Sequence, residues 1–178
     1  MKYAAFLRGV NVSGHNPIKM EPLKQALLKS GYSDVTTYLQ SGNVVFRTAQ
    51  QKNESLESQL EEFLLREFKL HVGVLVKSQK EIVSLLKSNP FLDKAHDEQF
   101  LHITFLKGDP SSVDVDTVKK VLSKDEQFDI KKSCVYLYCP NGYGRTKLNN
   151  SNWEKWSHGL CTTRNWNTLM AMDSLLKE

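Results

Sequence analysis

Three loop segments of the sequence combine glycine, asparagine, serine or threonine with basic residues. They read LRGVNVSGHN at 7–16, NGYGRTKLNN at 141–150 and TTRNWNT at 162–168. Backbone N–H groups in such turns, together with a guanidinium or ammonium group, can bind phosphate or carboxylate. The chemistry that these residue types support is therefore the binding of a negatively charged group.

The first segment has the glycine spacing of a phosphate-binding P-loop but lacks its other residues. Four residues separate Gly9 from Gly14, but His15 and Asn16 stand where a P-loop has lysine and then serine or threonine. We predict that the next helix begins near Met20, too far along the chain for a P-loop. The two glycines are therefore interpreted as positions of positive φ, and Walker-type hydrolysis is not expected.

Cationic side chains in the three segments are the candidate ligand contacts. Arg8 follows a predicted strand, where it could hold an anion through two parallel hydrogen bonds or pair with an internal acid. Arg145 and Lys147 follow a predicted turn at Asn141 and Gly142, in a segment where Tyr143 could stack on a base or sugar; alternatively, they are ordinary cations of a solvated loop. Arg164 lies beside the start of the last helix, whose N–H groups favour an anion, although Thr163 or Asn165 could cap them instead.

Catalytic and metal-binding signatures are not found in the sequence. The five histidines do not have metal-ligand spacing, and His102 alternates within a predicted strand, which favours a structural role. His15 is a weak candidate for acid–base chemistry because it lies in the glycine loop near Arg8. Ser41 has no base partner in the sequence pattern. The catalytic residues are unknown, and neither a metal nor a cofactor is expected.

Charge is unevenly distributed along the 178 residues, although the net charge is only +4. Residues 1–50 contain six basic and two acidic residues, and residues 131–178 contain seven and three. The middle is net acidic, so a localised positive surface would form if the two ends meet.

No apolar run is long enough to cross a bilayer, and Arg8 comes too early for a signal peptide, so we expect a cytoplasmic protein without a membrane partner. Cys134, Cys139 and Cys161 are expected to be reduced and buried.

The hydrophobic periodicity predicts the element order strand, helix, strand, strand, helix, strand, and then the same order again. This is the split βαβ unit of a ferredoxin-like fold. The fold class is therefore α+β, with two ferredoxin-like (βαββαβ) subdomains in pseudo-duplication and mostly antiparallel sheets with helices on one face. We predict subdomains at 1–78 and 100–178, joined by a helix and loop at 79–99, with one compact domain as the alternative. In this topology, the end of the first strand and the hairpin around Ser41, Gly42 and Asn43 lie at the same sheet edge.

Four motifs in order, LRGVNVSG, YLQSGNVVF, YGRTKLNN and TTRNWNT, resemble the bacterial domain-of-unknown-function 1697 family over nearly the whole chain. The resemblance implies an α+β protein of two ferredoxin-like subdomains and implies no reaction. The first loop of this family tends to read Gly-Gly-Lys-Asn, whereas this chain has Ser13, Gly14, His15 and Asn16.

The leading hypothesis is a protein that binds a phosphate-bearing ligand, either nucleic acid or a nucleotide-like metabolite, as a monomer or weak homodimer. The alternatives are an enzyme acting on a small phosphorylated or carboxylated substrate, and an interaction module without a small-molecule ligand. The predicted ligand contacts come from the loops and element starts of the two basic ends: Arg8, Asn11, Lys19, Ser41, Asn43, Tyr143, Arg145, Lys147, Arg164 and Asn165.

Overall fold

The computed structural model describes residues 1–12, 14–92, 96–107, 109–131 and 134–178. Ser13 of the first loop therefore lies outside the described residues. The first half contains β1 (Lys2–Leu7), α1 (Met20–Lys29), β2 (Ser33–Tyr38), β3 (Asn43–Arg47), α2 (Asn53–Phe68), β4 (Val74–Ser78) and α3 (Gln79–Lys87). The second half contains β5 (Leu101–Leu106), α4 (Val115–Val121), β6 (Gln127–Lys131), β7 (Cys134–Tyr138), α5 (Asn150–Ser157), β8 (Cys161–Asn165) and α6 (Trp166–Lys177).

Each half forms one four-stranded antiparallel sheet with the same strand order. The first sheet is ordered β2-β3-β1-β4, and the second is ordered β6-β7-β5-β8. The first strand of each half therefore lies between the third and the fourth, as in a ferredoxin-like βαββαβ unit. The α+β fold class predicted from the sequence is confirmed.

The chain divides into two compact units, and the first of them contains both the beginning and the end of the chain. The first unit is made of residues 1–86 together with 170–178, and the second is made of residues 87–169. The end of α6 thus belongs to the first unit, while its start belongs to the second. The sequence-based boundaries at 78 and 99 stay a prediction.

Amphipathic helices cover the sheet of the first unit. The apolar residues of α1 and α2 recur at helical spacing, which directs them to the same side, where they join alternate residues of the strands. Tyr3 stacks on Phe46 within this core, with ring centroids 5.8 Å apart. The helix residues buried there are Met20, Leu23, Leu27, Leu56, Leu60, Phe63 and Leu64.

A tryptophan forms the centre of the core of the second unit. Trp153 of α5 is fully buried, and its indole nitrogen donates to the Leu148 carbonyl at 3.0 Å. Trp156 packs edge-on against it, with centroids 5.0 Å apart. Because the indole N–H has an acceptor, this large side chain is buried without an unmet polar group. The sequence prediction that the cysteines are buried and reduced agrees with the structure, in which all three are free and buried.

Carboxylates block the outer edge of β4. The N–H groups of Val74, Val76 and Ser78 alternate along the strand, and each donates to a glutamate oxygen. Glu61 accepts from Val74 at 2.9 Å, Glu57 accepts from Val76 at 2.9 Å, and Glu81 accepts from Ser78 at 2.7 Å. Glu57 and Glu61 are one helical turn apart on α2, a spacing close to that of two strand residues. The edge is thereby made unavailable for pairing with another strand.

The second half repeats part of this arrangement. Glu154 of α5 accepts from the N–H of Cys161, the first residue of β8, at 3.4 Å. Asn150, one turn earlier on α5, accepts from the Thr163 hydroxyl at 2.7 Å. The repetition of both strand order and edge contacts supports the pseudo-duplication of the two halves.

Candidate functional site

The glycine loop after β1 closes on itself. The N–H of His15 donates to the Val12 carbonyl at 2.9 Å, and the N–H of Asn11 donates to the Asn16 carbonyl at 3.2 Å. Helix α1 begins at Met20, as predicted, so its start does not face the loop in the manner of a P-loop. The positive φ predicted for Gly9 and Gly14 is confirmed, at 67° and 79°.

Asn11 joins this loop to the β2–β3 hairpin. Its amide nitrogen donates both to the Ile18 carbonyl at 2.8 Å and to the Gln40 carbonyl at 2.7 Å. Its amide oxygen accepts from the Ile18 N–H at 2.8 Å. Asn11 holds φ at 55°, a left-handed conformation that asparagine tolerates better than most residues.

The hairpin also lies against the end of β1, as the topology predicts. The N–H of Leu7 donates to the Gly42 carbonyl at 2.8 Å. A Cβ on Gly42 would lie 2.5 Å from Val10 Cγ2 and 2.7 Å from Leu7 Cβ, and φ there is +75°. Only glycine therefore permits this close approach of the hairpin to the loop.

We define the loop-end surface as Arg8, Lys19 and Ser41, which belong to the segments that follow β1, precede α1 and connect β2 with β3. Lys19 follows Ile18, and Ser41 follows Gln40, so each adjoins a carbonyl that the same Asn11 amide holds. Both side chains are exposed. Arg8 is partly exposed, and its N–H donates to the Gly73 carbonyl at 2.8 Å.

Asn11 and Asn43 make internal contacts in this region. The Asn43 side chain is fully buried and donates to the Tyr38 carbonyl at 2.9 Å and to the Ser41 hydroxyl at 3.0 Å. These contacts orient the hairpin tip. Direct ligand contact by Asn11 or Asn43 stays a prediction.

In the second unit, the NGYGRTKLNN loop packs through Tyr143 onto His102. The two rings stack with centroids 4.7 Å apart, and His102 Nδ1 lies 3.0 Å from the Phe100 carbonyl. Burial lowers the pKa of His102, whereas this hydrogen bond raises it by a smaller amount. The net effect is a lowered pKa, which favours the neutral ring. The structural role expected for His102 agrees with these contacts. Arg145 and Lys147 are exposed on either side of the buried Thr146.

The TTRNWNT segment spans the end of β8 and the start of α6. Asn165 lies opposite His102 in the β5–β8 ladder, and its side-chain oxygen accepts from the Thr168 N–H at 2.8 Å, as a helix cap does. Arg164 is only 8% exposed, and its guanidinium donates to the Thr162 hydroxyl at 2.7 Å and the Thr163 carbonyl at 2.8 Å. Trp166, the first residue of α6, is buried.

The ten predicted ligand residues divide equally between the units. The first five lie in the first unit, and the other five lie in the second. Within each unit, segments distant in sequence converge: Asn11 contacts the hairpin, and Tyr143 and Asn165 both adjoin His102. A single cleft formed by both sets stays a prediction.

Sequence reasoning missed two features of these regions. Alternation along β5 indicates the face of His102, but no sequence signal pairs it with Tyr143. No sequence signal indicates the Gln40 carbonyl, because backbone acceptors have no sequence signature.

Within the described part of the chain, no group of three or more His, Cys, Asp or Glu residues could hold a metal ion. None of the described helices is long and apolar enough to cross a membrane.

A family model described as a protein of unknown function, DUF1697, matches residues 1–136. The chain belongs to this family. Among solved structures, a conserved bacterial protein from Streptococcus pneumoniae is similar over 98% of each chain, with 25% sequence identity and a TM-score of 0.74. No curated protein matches the sequence significantly. These similarities establish the DUF1697 fold for this chain and assign it no activity.

The side chains of this DUF1697 member differ in the chemistry that they could support. Burial raises the pKa of the Cys139 thiol to about 12, so this cysteine is a poor nucleophile at neutral pH. By contrast, the ammonium group of Lys19 and the side chain of Ser41 are exposed, and the Ser41 hydroxyl accepts from Asn43.

Proposed function

We propose that this protein binds a phosphate-bearing ligand, either a nucleic acid or a nucleotide-like metabolite, at the loop-end surface. In this proposal, Lys19 and Arg8 provide positive charge, and the Ser41 hydroxyl donates to a phosphate oxygen. Asn11 positions the backbone that precedes Lys19 and Ser41. In the second unit, Arg145 and Lys147 contact the same class of ligand, and Tyr143, Arg164 and Asn165 shape that region.

The observation that carries the proposal is the Asn11 amide. One NH2 group is hydrogen-bonded to the carbonyls that precede Lys19 and Ser41, at 2.8 and 2.7 Å. The backbone segments that lead into Lys19 and Ser41 are thus joined through Asn11 before any ligand arrives. Such preorganisation reduces the entropy that a ligand must otherwise remove on binding.

The proposed location is the cytoplasm, where phosphorylated metabolites and nucleic acids are abundant. The three buried cysteines support it because they are free, as is usual in a reducing compartment. We propose a monomer or a weak homodimer, with no membrane partner.

A direct test combines a thermal-shift screen with binding titrations. The screen uses nucleotides, sugar phosphates and short single-stranded RNA and DNA. A ligand at a hundred times its Kd stabilises a protein by about 2.7 kcal/mol, which raises Tm by roughly 5–10 °C for a chain of this size. The ligand with the largest shift is then titrated by fluorescence anisotropy at several salt concentrations.

Lys19→Gln and Lys29→Gln form a matched pair for the titration. Both lysines are exposed and belong to the same helix region, but Lys29 is at the far end of α1. We expect Lys19→Gln to weaken binding severalfold and Lys29→Gln to leave it unchanged. If the ligand is a nucleic acid, affinity falls steeply with salt, and Lys19→Gln reduces that slope by about one. Equal affinities of the two variants, or the absence of any stabilising ligand, would refute the proposal.

An interaction module without a small-molecule ligand is the second candidate, and the burial of Arg164 favours it. This guanidinium is bonded to Thr162 and Thr163 of its own strand. For an interaction module, Arg164→Ala lowers Tm and the ligand screen is negative. For a ligand-binding protein, the screen is positive whatever Arg164→Ala does to Tm.

A further inference from the structure

A cavity at the N-terminal end of β1 is lined by basic residues from four different elements. It has a volume of about 370 Å³ and belongs entirely to the first unit. Lys2 begins β1 and Arg47 ends β3, while Leu176 provides an apolar wall. We call this the basic cavity, and its polar lining residues used below are Lys2, Arg47, Gln79, Lys80, Lys177 and Glu178.

Two of these cations are neighbours by the register of the sheet. Lys2 lies directly opposite Arg47 in the β1–β3 ladder. Side chains at such positions are close to each other, and two like charges there destabilise the sheet. The Arg47 guanidinium is partly relieved by Asp34, whose Oδ2 lies 2.5 Å from Nε. The hydrogen bond from Arg47 lowers the pKa of Asp34, with smaller contributions from the charges of Arg47 and Lys2.

The remaining cations differ in whether they have an acidic partner. Lys177 lies 2.5 Å from Asp173, one helical turn away on α6. Lys2 and Lys80 have no ion pair among the residues that the structure describes. Glu178 is the acidic residue of the lining, and it is exposed. Four cationic side chains and one acidic side chain line the basic cavity, so its net positive charge attracts anions.

We propose that the basic cavity binds a small multivalent phosphate-bearing anion, held chiefly by Lys2 and Lys80. The volume fits a ligand of the size of pyrophosphate or a small phosphate ester, because it is at the lower end of the range for small-molecule sites. Lysine suits this task as a flexible point charge, and the Gln79 amide can donate a further hydrogen bond. Arg47 and Lys177 add charge while retaining their own partners.

This site goes beyond the function proposed above and does not depend on it. The loop-end surface follows the C-terminal end of β1, and the basic cavity lies at its N-terminal end. A strand of six residues separates them by about 17 Å. A substitution that abolishes binding at one site should therefore leave binding at the other site unchanged.

The test is a titration of the full chain with inorganic pyrophosphate, followed by 15N NMR. We expect saturable shifts of the Gln79 and Lys80 amide signals. Lys2→Gln and Lys80→Gln should each raise the Kd about two- to fivefold, the change expected on removing one partly solvated charge. Lys87→Gln, an exposed lysine at the other end of α3, is the matched control and should leave the Kd unchanged.

Lys19→Gln separates this proposal from the first. It should not change the Kd of pyrophosphate in the basic cavity, whereas Lys80→Gln should not change the affinity of the loop-end ligand. Lys2 is half-buried and the other lysines in this test are exposed, so the variants should remain folded. Unchanged amide signals away from each substitution would verify this. A titration that does not saturate, or a Kd that neither Lys2→Gln nor Lys80→Gln changes, would overturn the proposal.

Discussion

Replacing Glu57 by alanine should expose how strongly the carboxylate at the β4 edge stabilises the first unit. Glu57 is 5% exposed, and its Oε1 accepts from the Val76 N–H at 2.9 Å in a buried position. The variant leaves this N–H buried without its carboxylate acceptor. A hydrogen bond to a charged group contributes about 1.5–3 kcal/mol, and a buried orphan donor costs a similar amount. We therefore expect the free energy of unfolding to fall by about 2–3 kcal/mol.

The control for this change is Glu62→Ala on the same helix. Glu62 is exposed, so its replacement should change the free energy of unfolding by about 0.5 kcal/mol or less. Glu57→Gln retains an oxygen acceptor without the charge and should give an intermediate loss. Urea unfolding followed by circular dichroism measures all three, with the m-value checked for constancy. Equal midpoints for Glu57→Ala and Glu62→Ala would show that the edge contact does not stabilise the fold.

Three further predictions follow from individual contacts. Burial raises the pKa of Glu81, but hydrogen bonds from Ser78 and Asn53 outweigh it, so the folded pKa is below the ordinary value of 4.5. Its stabilisation is therefore present above that value and lost as pH falls through the folded pKa, so Glu81→Gln should flatten the acid limb of a plot of unfolding free energy against pH. Gly42→Ala should lower the free energy of unfolding in urea by about 2–4 kcal/mol, because φ is positive and the added Cβ would clash with Val10 and Leu7. Gly9→Ala should lower it by about 1–2 kcal/mol, because φ is +67° but the space around it is open. Equal losses for the two variants would contradict the steric account. Arg164→Ala should lower Tm by several degrees through its lost hydrogen bonds, while the exposed Arg145→Ala should not, and differential scanning calorimetry would reveal a reversed order.

Much of the fold could be predicted from the sequence because its signals are local. Apolar residues at helical spacing identified α1 and α2, and short apolar or β-rich runs identified the strands. The order of these elements then led to the split βαβ topology, which placed the end of β1 beside the 40–42 turn. The Asn11–Gln40 hydrogen bond agrees with that placement.

The candidate sites were less predictable because side-chain partners depend on the register and strand order of the folded sheet. The sequence indicated Asn11 and Asn43 as polar loop residues, but not that their amides would be directed at backbone carbonyls. It indicated basic ends, but not that Lys2 and Lys177 would line the same cavity as Lys80 of the acidic middle.

By itself, the sequence determined the element order, the family and the absence of a P-loop, since each depends on residue types at short separations. Tertiary structure alone decided which groups meet: three glutamates on the β4 edge, Asn11 between two loops, and four cations around one cavity. These contacts join residues that are distant in the chain, and their geometry is set by the packing of whole elements rather than by any local pattern.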